Sequence, residues 1–306
     1  MTQPHDIALF TCTFSGDHDN FRLLCESIDQ HAAHFSHVAA VPKHELPLFR
    51  EFATKNRRFV SQEDFLPSGV HRIPLPPRSW RKKLGVLLRD QYWVRPNLRV
   101  NGWVMQQIVK FEASRTLGHS VIVHLDSDTV LIRDLTPEDF VENGRARLFR
   151  ETFETTFDDH QVWVDECAHL LALKGEIPEN VHYVGWPVVW HSGVIDALKS
   201  QIEALHPGDW RHNLIRMKML SEYHLYGIFY EFLHDPKAEH FLTNEKQMVA
   251  RTFEGDTGLT HELSGITEEI SASTIGCCLQ STLSATLDER RAVSDALRKT
   301  ASFSAS

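Results

Sequence analysis

Residues 121–132, Val-Ile-Val-His-Leu-Asp-Ser-Asp-Thr-Val-Leu-Ile, join two apolar, β-branched runs through a pair of carboxylates spaced i, i+2. Such a run predicts a buried strand that carries Asp126 and Asp128 to the edge of a sheet, within reach of solvent. Hard divalent cations take oxygen ligands, commonly one or two carboxylates with substrate phosphates and water completing the shell. Side chains alternate along an extended backbone, so Asp126 and Asp128 share a face only if the strand continues; a turn at Ser127 would part them, one toward a metal and one toward a ribose hydroxyl. The tripeptide alone carries little, since roughly one Asp-x-Asp is expected by chance in a chain of this length, and Asp17-His18-Asp19 is a second instance. Its place after Val121–Leu125 is what gives it weight.

The flanking sequence supplies a sheet for that strand. Ile7–Phe14 reads as a buried strand, 15–19 as a turn and 20–33 as a helix. A strand over 37–41, a short helix over 46–52 and a strand over 58–60 follow, the alternation of a parallel α/β sheet. After a Pro-rich stretch, 67–77, a helix over 103–115 with Val104, Ile108 and Phe111 on one face is closed by Gly118. Residues 1–135 thus read as a nucleotide-binding half, with ligands at the carboxyl ends of its strands. In 136–300 the pattern predicts helices over 160–173, 192–205 and 221–233, the last capped by Ser221, and a short strand over 188–190. The Ser/Ala-rich residues 301–306 read as a disordered tail.

The net charge of −9 argues against a nucleic-acid partner. Between Arg72 and Arg115, however, ten basic residues (Arg72, Arg78, Arg81, Lys82, Lys83, Arg89, Arg95, Arg99, Lys110, Arg115) face only Asp90 and Glu112. Such a segment is either a solvated face or a surface for phosphates, of a small ligand or of anionic lipid headgroups. The five cysteines include no Cys-x-x-Cys, and Cys277-Cys278 fits an apolar strand better than a disulfide. Rings beside loops, such as Trp103 and Trp186, suit either sugar stacking or burial. With no basic-apolar leader and no 18-residue apolar stretch, the expected location is the cytoplasm, with any membrane contact peripheral.

Four pieces, Thr13–Ser27, Gly102–Lys110, Leu125–Val130 and Ser221–Gly227, resemble in this order bacterial glycosyltransferase-like proteins of the GT-A fold. More narrowly, they resemble a group associated with surface-polysaccharide synthesis. The resemblance implies a single GT-A-like domain over 1–300, a Rossmann-type mixed sheet flanked by helices, and a hexosyltransferase-type activity. The donor would be a nucleotide-diphosphate sugar with Mn²⁺ or Mg²⁺, the acceptor a surface glycan or its lipid-linked precursor. It implies that Thr13, Ser15, Gly16 and Asp17 line the nucleotide pocket and that Gln107 and Lys110 face the diphosphate or donor sugar. Asp126 and Asp128 would hold ribose and metal, and Glu222 would face the acceptor. In an inverting transfer a carboxylate takes the acceptor hydroxyl's proton. A first-turn Glu can instead serve as a cap, and the helix field there is expected to lower its pKa. Many GT-A enzymes add a late His ligand; His234, His240 and His261 are the candidates, none in a recognisable motif.

Asp126-x-Asp128-Thr-Val also fits the opening motif of haloacid-dehalogenase-type phosphatases. That motif usually lies on the first strand of its core, whereas here at least two strand–helix units precede it. A GT-A-shaped binding protein without turnover is a further alternative. No Gly-x-Ser-x-Gly elbow or phosphate-binding Gly-x-x-x-x-Gly-Lys-Ser/Thr loop is present.

Overall fold

The computed structural model describes residues 6–73, 80, 91–94, 98–152, 158–174, 177, 180–217, 219–234, 239–243, 248–251, 266, 270–279 and 285–304. Its main sheet contains β1 (Ile7–Cys12), β2 (Ser36–Val41), β3 (Arg57–Ser61), β4 (Val121–His124) and β5 (Val188–His191), in the spatial order β5-β4-β1-β2-β3. The first four strands run parallel and β5 is antiparallel to β4. The carboxyl ends of β1, β2 and β4 therefore share one edge. The long helices are α1 (His18–His31), α2 (Gly102–Leu117), α3 (Asp158–Leu170), α4 (Ser192–Leu205), α5 (Glu222–Phe232) and α6 (Leu287–Ser304).

Every residue of β1 is buried, which a strand tolerates only when both faces of its sheet are covered. Alternation divides the work. Ile7 and Leu9 pack with Phe21, Leu24, Cys25 and Ile28 of α1, beside Val121 and Val123 of β4. Ala8 and Phe10 face the other way, with Ile122, onto Val109, Ala113 and Leu117 of α2. Burying a large apolar side chain contributes about 1.5–3 kcal/mol, so this central pair of strands fixes its register strongly: a slip by one residue would exchange the two faces.

Helix α2 also joins the second half of the chain. Met105, Ile108 and Phe111 belong to a core shared with α3, α4, α5 and β5, so packing runs across residue 135. At its centre Trp190 of β5 stacks on Phe111 at 4.9 Å and on Tyr226 of α5 at 5.2 Å. Two nearly parallel ring stacks thereby lock α2 and α5 to one strand, and those two helices carry the buried ions described below. Gly118 ends α2 at φ +70°, the left-handed geometry glycine adopts without strain.

The expected elements of 7–60, 103–124 and 188–233 are present within a few residues. Smaller sheets were not anticipated. Thr129–Leu131 pairs antiparallel with Gly276–Cys278, which runs parallel to Val249–Arg251. Arg145–Phe149 runs parallel to His240–Thr243. Cys277 and Cys278 are buried free thiols within a strand, as their apolar setting suggested. The tail reading is corrected in part: α6 continues to Ser304, and only 305 and 306 lie outside the described residues. Of the basic segment, residues 78, 81–83, 89 and 95 lie outside the described residues. Lys110 is buried and is no part of a solvated face.

Candidate functional site

At the carboxyl edge of the main sheet, β4 stops at His124 and the chain turns. The Thr129 N–H donates to the Asp126 carbonyl at 3.0 Å, closing a turn over Asp126-Ser127-Asp128. The strand does not continue through the carboxylates; it resumes at Thr129 in a different sheet. The extended alternative, with both carboxylates on one strand face, is thus excluded, and the turn at Ser127 holds. The Leu279 N–H donates to the Asp128 carbonyl at 2.9 Å, and the Ser127 hydroxyl lies 3.3 Å from an Asp17 carboxylate oxygen. Asp126 and Asp128 are half-buried.

The neighbouring end of β1 leads through Thr13 into a 3₁₀ turn, Ser15–Asp17. Thr13 is buried and its Oγ1 has no partner. Gln62 braces this corner, its side-chain amide donating to the carbonyls of Thr13 and Ala40 at 3.0 and 3.1 Å. Ser15 is exposed, and its N–H and hydroxyl both donate to Glu45, at 2.7 and 2.6 Å; Gly16 is exposed beside it. Asp17 therefore joins the carboxylate turn, whereas Ser15 is tied to the 3₁₀ turn Lys43–Glu45.

Beneath the turn lies an unusual concentration of buried charge. Lys110 Nζ of α2 sits 3.1 Å from Glu222 Oε1 and 3.8 Å from Asp126 Oδ1, and 5.4 Å from the centre of the Tyr223 ring. Burial opposes the charge on Lys110, but Tyr223, Glu222 and Asp126 outweigh it and hold the pKa well above its ordinary value. Cys12, at the end of β1, feels these same groups, and burial raises its thiol to about 12.

Glu222 opens α5. Ser221 caps the helix, its Oγ accepting from the His224 N–H. The Glu222 N–H is satisfied by Gln107 Oε1 at 3.1 Å. The side-chain cap of α5 is thus supplied by Ser221. The Glu222 pKa departs from the sequence expectation: burial raises it, and Lys110 and the backbone donor only partly offset that. The helix field loses to desolvation because the carboxylate is only 2 % exposed. Glu222 Oε2 and Gln107 Nε2 are both buried without partners. Together with Thr13 Oγ1, these are polar atoms that cost roughly 1–3 kcal/mol each unless a ligand or water satisfies them.

The structure brings Thr13, Asp17, Gln107, Lys110, Asp126, Asp128 and Glu222 to one edge, with Tyr223, Ser127, Gln62 and Cys12 added. Tyr223 lay in a recognised segment, but its place over Lys110 depends on a pairing 113 residues apart that no local pattern encodes. Trp186, half-buried, stands 6.4 Å from the Tyr223 ring at the margin of this group. Of the late histidines, His234 is paired with Glu239 and His240 is locked in the core by Tyr226 and the Ala146 carbonyl. His261 lies outside the described residues.

A mixed α/β protein with oxygen-rich turns at the carboxyl edge of a parallel sheet, backed by a buried Lys–Glu pair, is the class the geometry defines. The chain belongs to a family described as of unknown function, DUF6492, whose profile matches residues 7–265. No curated protein matches it. Among the described residues no helix is long and apolar enough to cross a membrane.

Proposed function

We propose that the chain is a metal-dependent glycosyltransferase, a GT-A-like enzyme that moves a sugar from a nucleotide-diphosphate donor to a surface glycan or lipid-linked precursor. The observation that carries this reading is the convergence of Asp126, Lys110 and Glu222 where β4 ends, a carboxylate turn at the rim with a base and a cation beneath it. Ligands of α/β sheets bind at that edge.

The donor set fits a hard cation. Asp126 and Asp128 are half-buried on one turn that parts them, so that Asp128 would hold Mn²⁺ or Mg²⁺ and Asp126 the ribose hydroxyl. The ion would neutralise charge on the departing nucleoside diphosphate. Thr13, Gly16 and Asp17 would border the nucleotide, with Ser15 held aside by Glu45. Lys110 would answer the donor's phosphates from the Asp126 side. As it does so its grip on Glu222 weakens, and the carboxylate's proton affinity, already raised by burial, rises further. Glu222 would then take the proton of the acceptor hydroxyl as that oxygen bonds to the anomeric carbon and the bond to the diphosphate breaks. Gln107 Nε2 remains for a hydroxyl of the donor sugar, and Trp186 offers a ring face to the acceptor.

The test is release of nucleoside diphosphate from a panel of sugar nucleotides with Mn²⁺, with and without glycan acceptors. Acceptor-stimulated release from one donor supports the proposal. Inorganic phosphate released from simple phosphomonoesters, with no turnover of sugar nucleotides, would replace it with the phosphatase reading. Binding of a nucleotide without any turnover would leave a binding protein.

A further inference from the structure

Behind Glu222, on the far side of the first turn of α5, lie three buried histidines that the proposed reaction does not use. His160 comes from the first turn of α3, His182 from the short strand Val181–His182, and His224 from α5. One ring nitrogen from each lies within 4.8 Å of the others. The ring centres are 5.0 Å apart for His160–His224, 5.5 Å for His182–His224 and 6.1 Å for His160–His182.

The other nitrogens are engaged outward. His160 Nε2 lies 2.8 Å from the Val181 carbonyl, which can only accept, so that nitrogen is the donor. His182 bonds the backbone of Val184. His224 Nδ1 lies 2.8 Å from Ser221 Oγ, while its Nε2 is fully buried and without a partner. Rings oriented from outside by carbonyls and a hydroxyl, with nitrogens converging within, have the outer support that metal-bound imidazoles show. Three converging nitrogens with no carboxylate among them select against Mg²⁺ and Mn²⁺ and for zinc-type ions.

We propose that His160, His182 and His224 form a binding site for a zinc-type transition-metal ion, separate from the carboxylate turn. It joins α3, a strand and α5, and its role is to brace the turn that holds Glu222, two residues before His224. Three protein ligands leave a tetrahedral ion one position for water. The inference does not rest on the sugar-transfer reading.

The full chain without a polyhistidine tag is stripped with chelator and titrated with Co²⁺, then with Zn²⁺. The expected result is a visible Co²⁺ absorption of nitrogen-ligated, low-coordinate type, abolished by Zn²⁺, and one zinc per chain retained through gel filtration in excess Mg²⁺. Asp128→Ala should keep that zinc, and His160→Gln and His224→Gln should lose it. Because a His variant can fail to fold, the wild-type chain gives a second readout: Zn²⁺, not Mg²⁺, should raise its unfolding temperature. Wild-type protein with no Co²⁺ band and no retained zinc overturns the site, as do folded His variants that hold zinc as well as wild type does.

Discussion

Replacing Lys110 with Met removes the cation from a buried carboxylate while keeping the length and apolar stem of the side chain. Lys110 Nζ and Glu222 Oε1 are 3.1 Å apart and both residues are buried. Breaking such a pair by deleting one member costs about 3–5 kcal/mol if the other stays charged. Glu222 has an alternative, which is to bind a proton. Its folded pKa is already above the ordinary 4.5 because of burial, and losing Lys110 raises it further. A carboxyl whose folded pKa exceeds its unfolded one gives stability that is whole below the unfolded value and is lost as pH climbs toward the folded value. The variant should therefore lose stability more steeply than wild type as pH rises above 4.5, with one proton setting a ceiling of about 1.4 kcal/mol per pH unit on the added slope. Urea unfolding between pH 5 and 8 measures this, and Lys110→Met with Glu222→Gln should abolish the slope. A single variant whose pH dependence matches wild type, or a double variant that keeps the slope, would refute a buried Lys110–Glu222 pair.

Three further perturbations separate the roles of neighbouring residues. Glu222→Gln should leave nucleotide binding intact and cut sugar transfer by about a hundredfold or more; a mild loss in a transfer assay would return Glu222 to a structural role. Asp128→Ala should abolish metal-dependent nucleotide binding by calorimetry, and unchanged binding would remove Asp128 from the site. Gly227→Ala should destabilise the chain by about 1–3 kcal/mol in urea, since a Cβ on α5 would run into the Tyr183 ring, itself fixed by Glu231 at 2.6 Å; a neutral effect would mean that α5 packs less closely there.

The central sheet and the position of the two carboxylates were legible because local signals encode them, whereas the turn at Ser127 was one of two open alternatives. β1 and β4 are continuous apolar runs, α1 and α2 carry helical periodicity, and Asp126 and Asp128 interrupt an otherwise buried segment. The antiparallel pairing of Thr129–Leu131 with Gly276–Cys278 was hidden, since strands of three residues have too short a pattern and their partner lies some 145 residues away. The direction of the Glu222 shift was misjudged for a related reason: a first-turn position announces the helix field, while desolvation by α2 and Tyr223 is visible only once the chain is folded. The histidine cluster was invisible among 19 histidines, because its members sit on three elements with no motif spacing. What did signal the site, Ser221–Gly227 beside Gly102–Lys110, carried both buried ions but not the knowledge that they meet.

Calorimetric titration of the wild-type chain with UDP, GDP and CMP, each in Mn²⁺ and in EDTA, addresses the proposed activity most directly. Tight binding of one nucleotide, present with Mn²⁺ and lost with EDTA, is the predicted result and identifies the donor class. Absence of binding for all three in Mn²⁺, or binding indifferent to EDTA, would contradict a metal-dependent nucleotide-sugar site at Asp126 and Asp128.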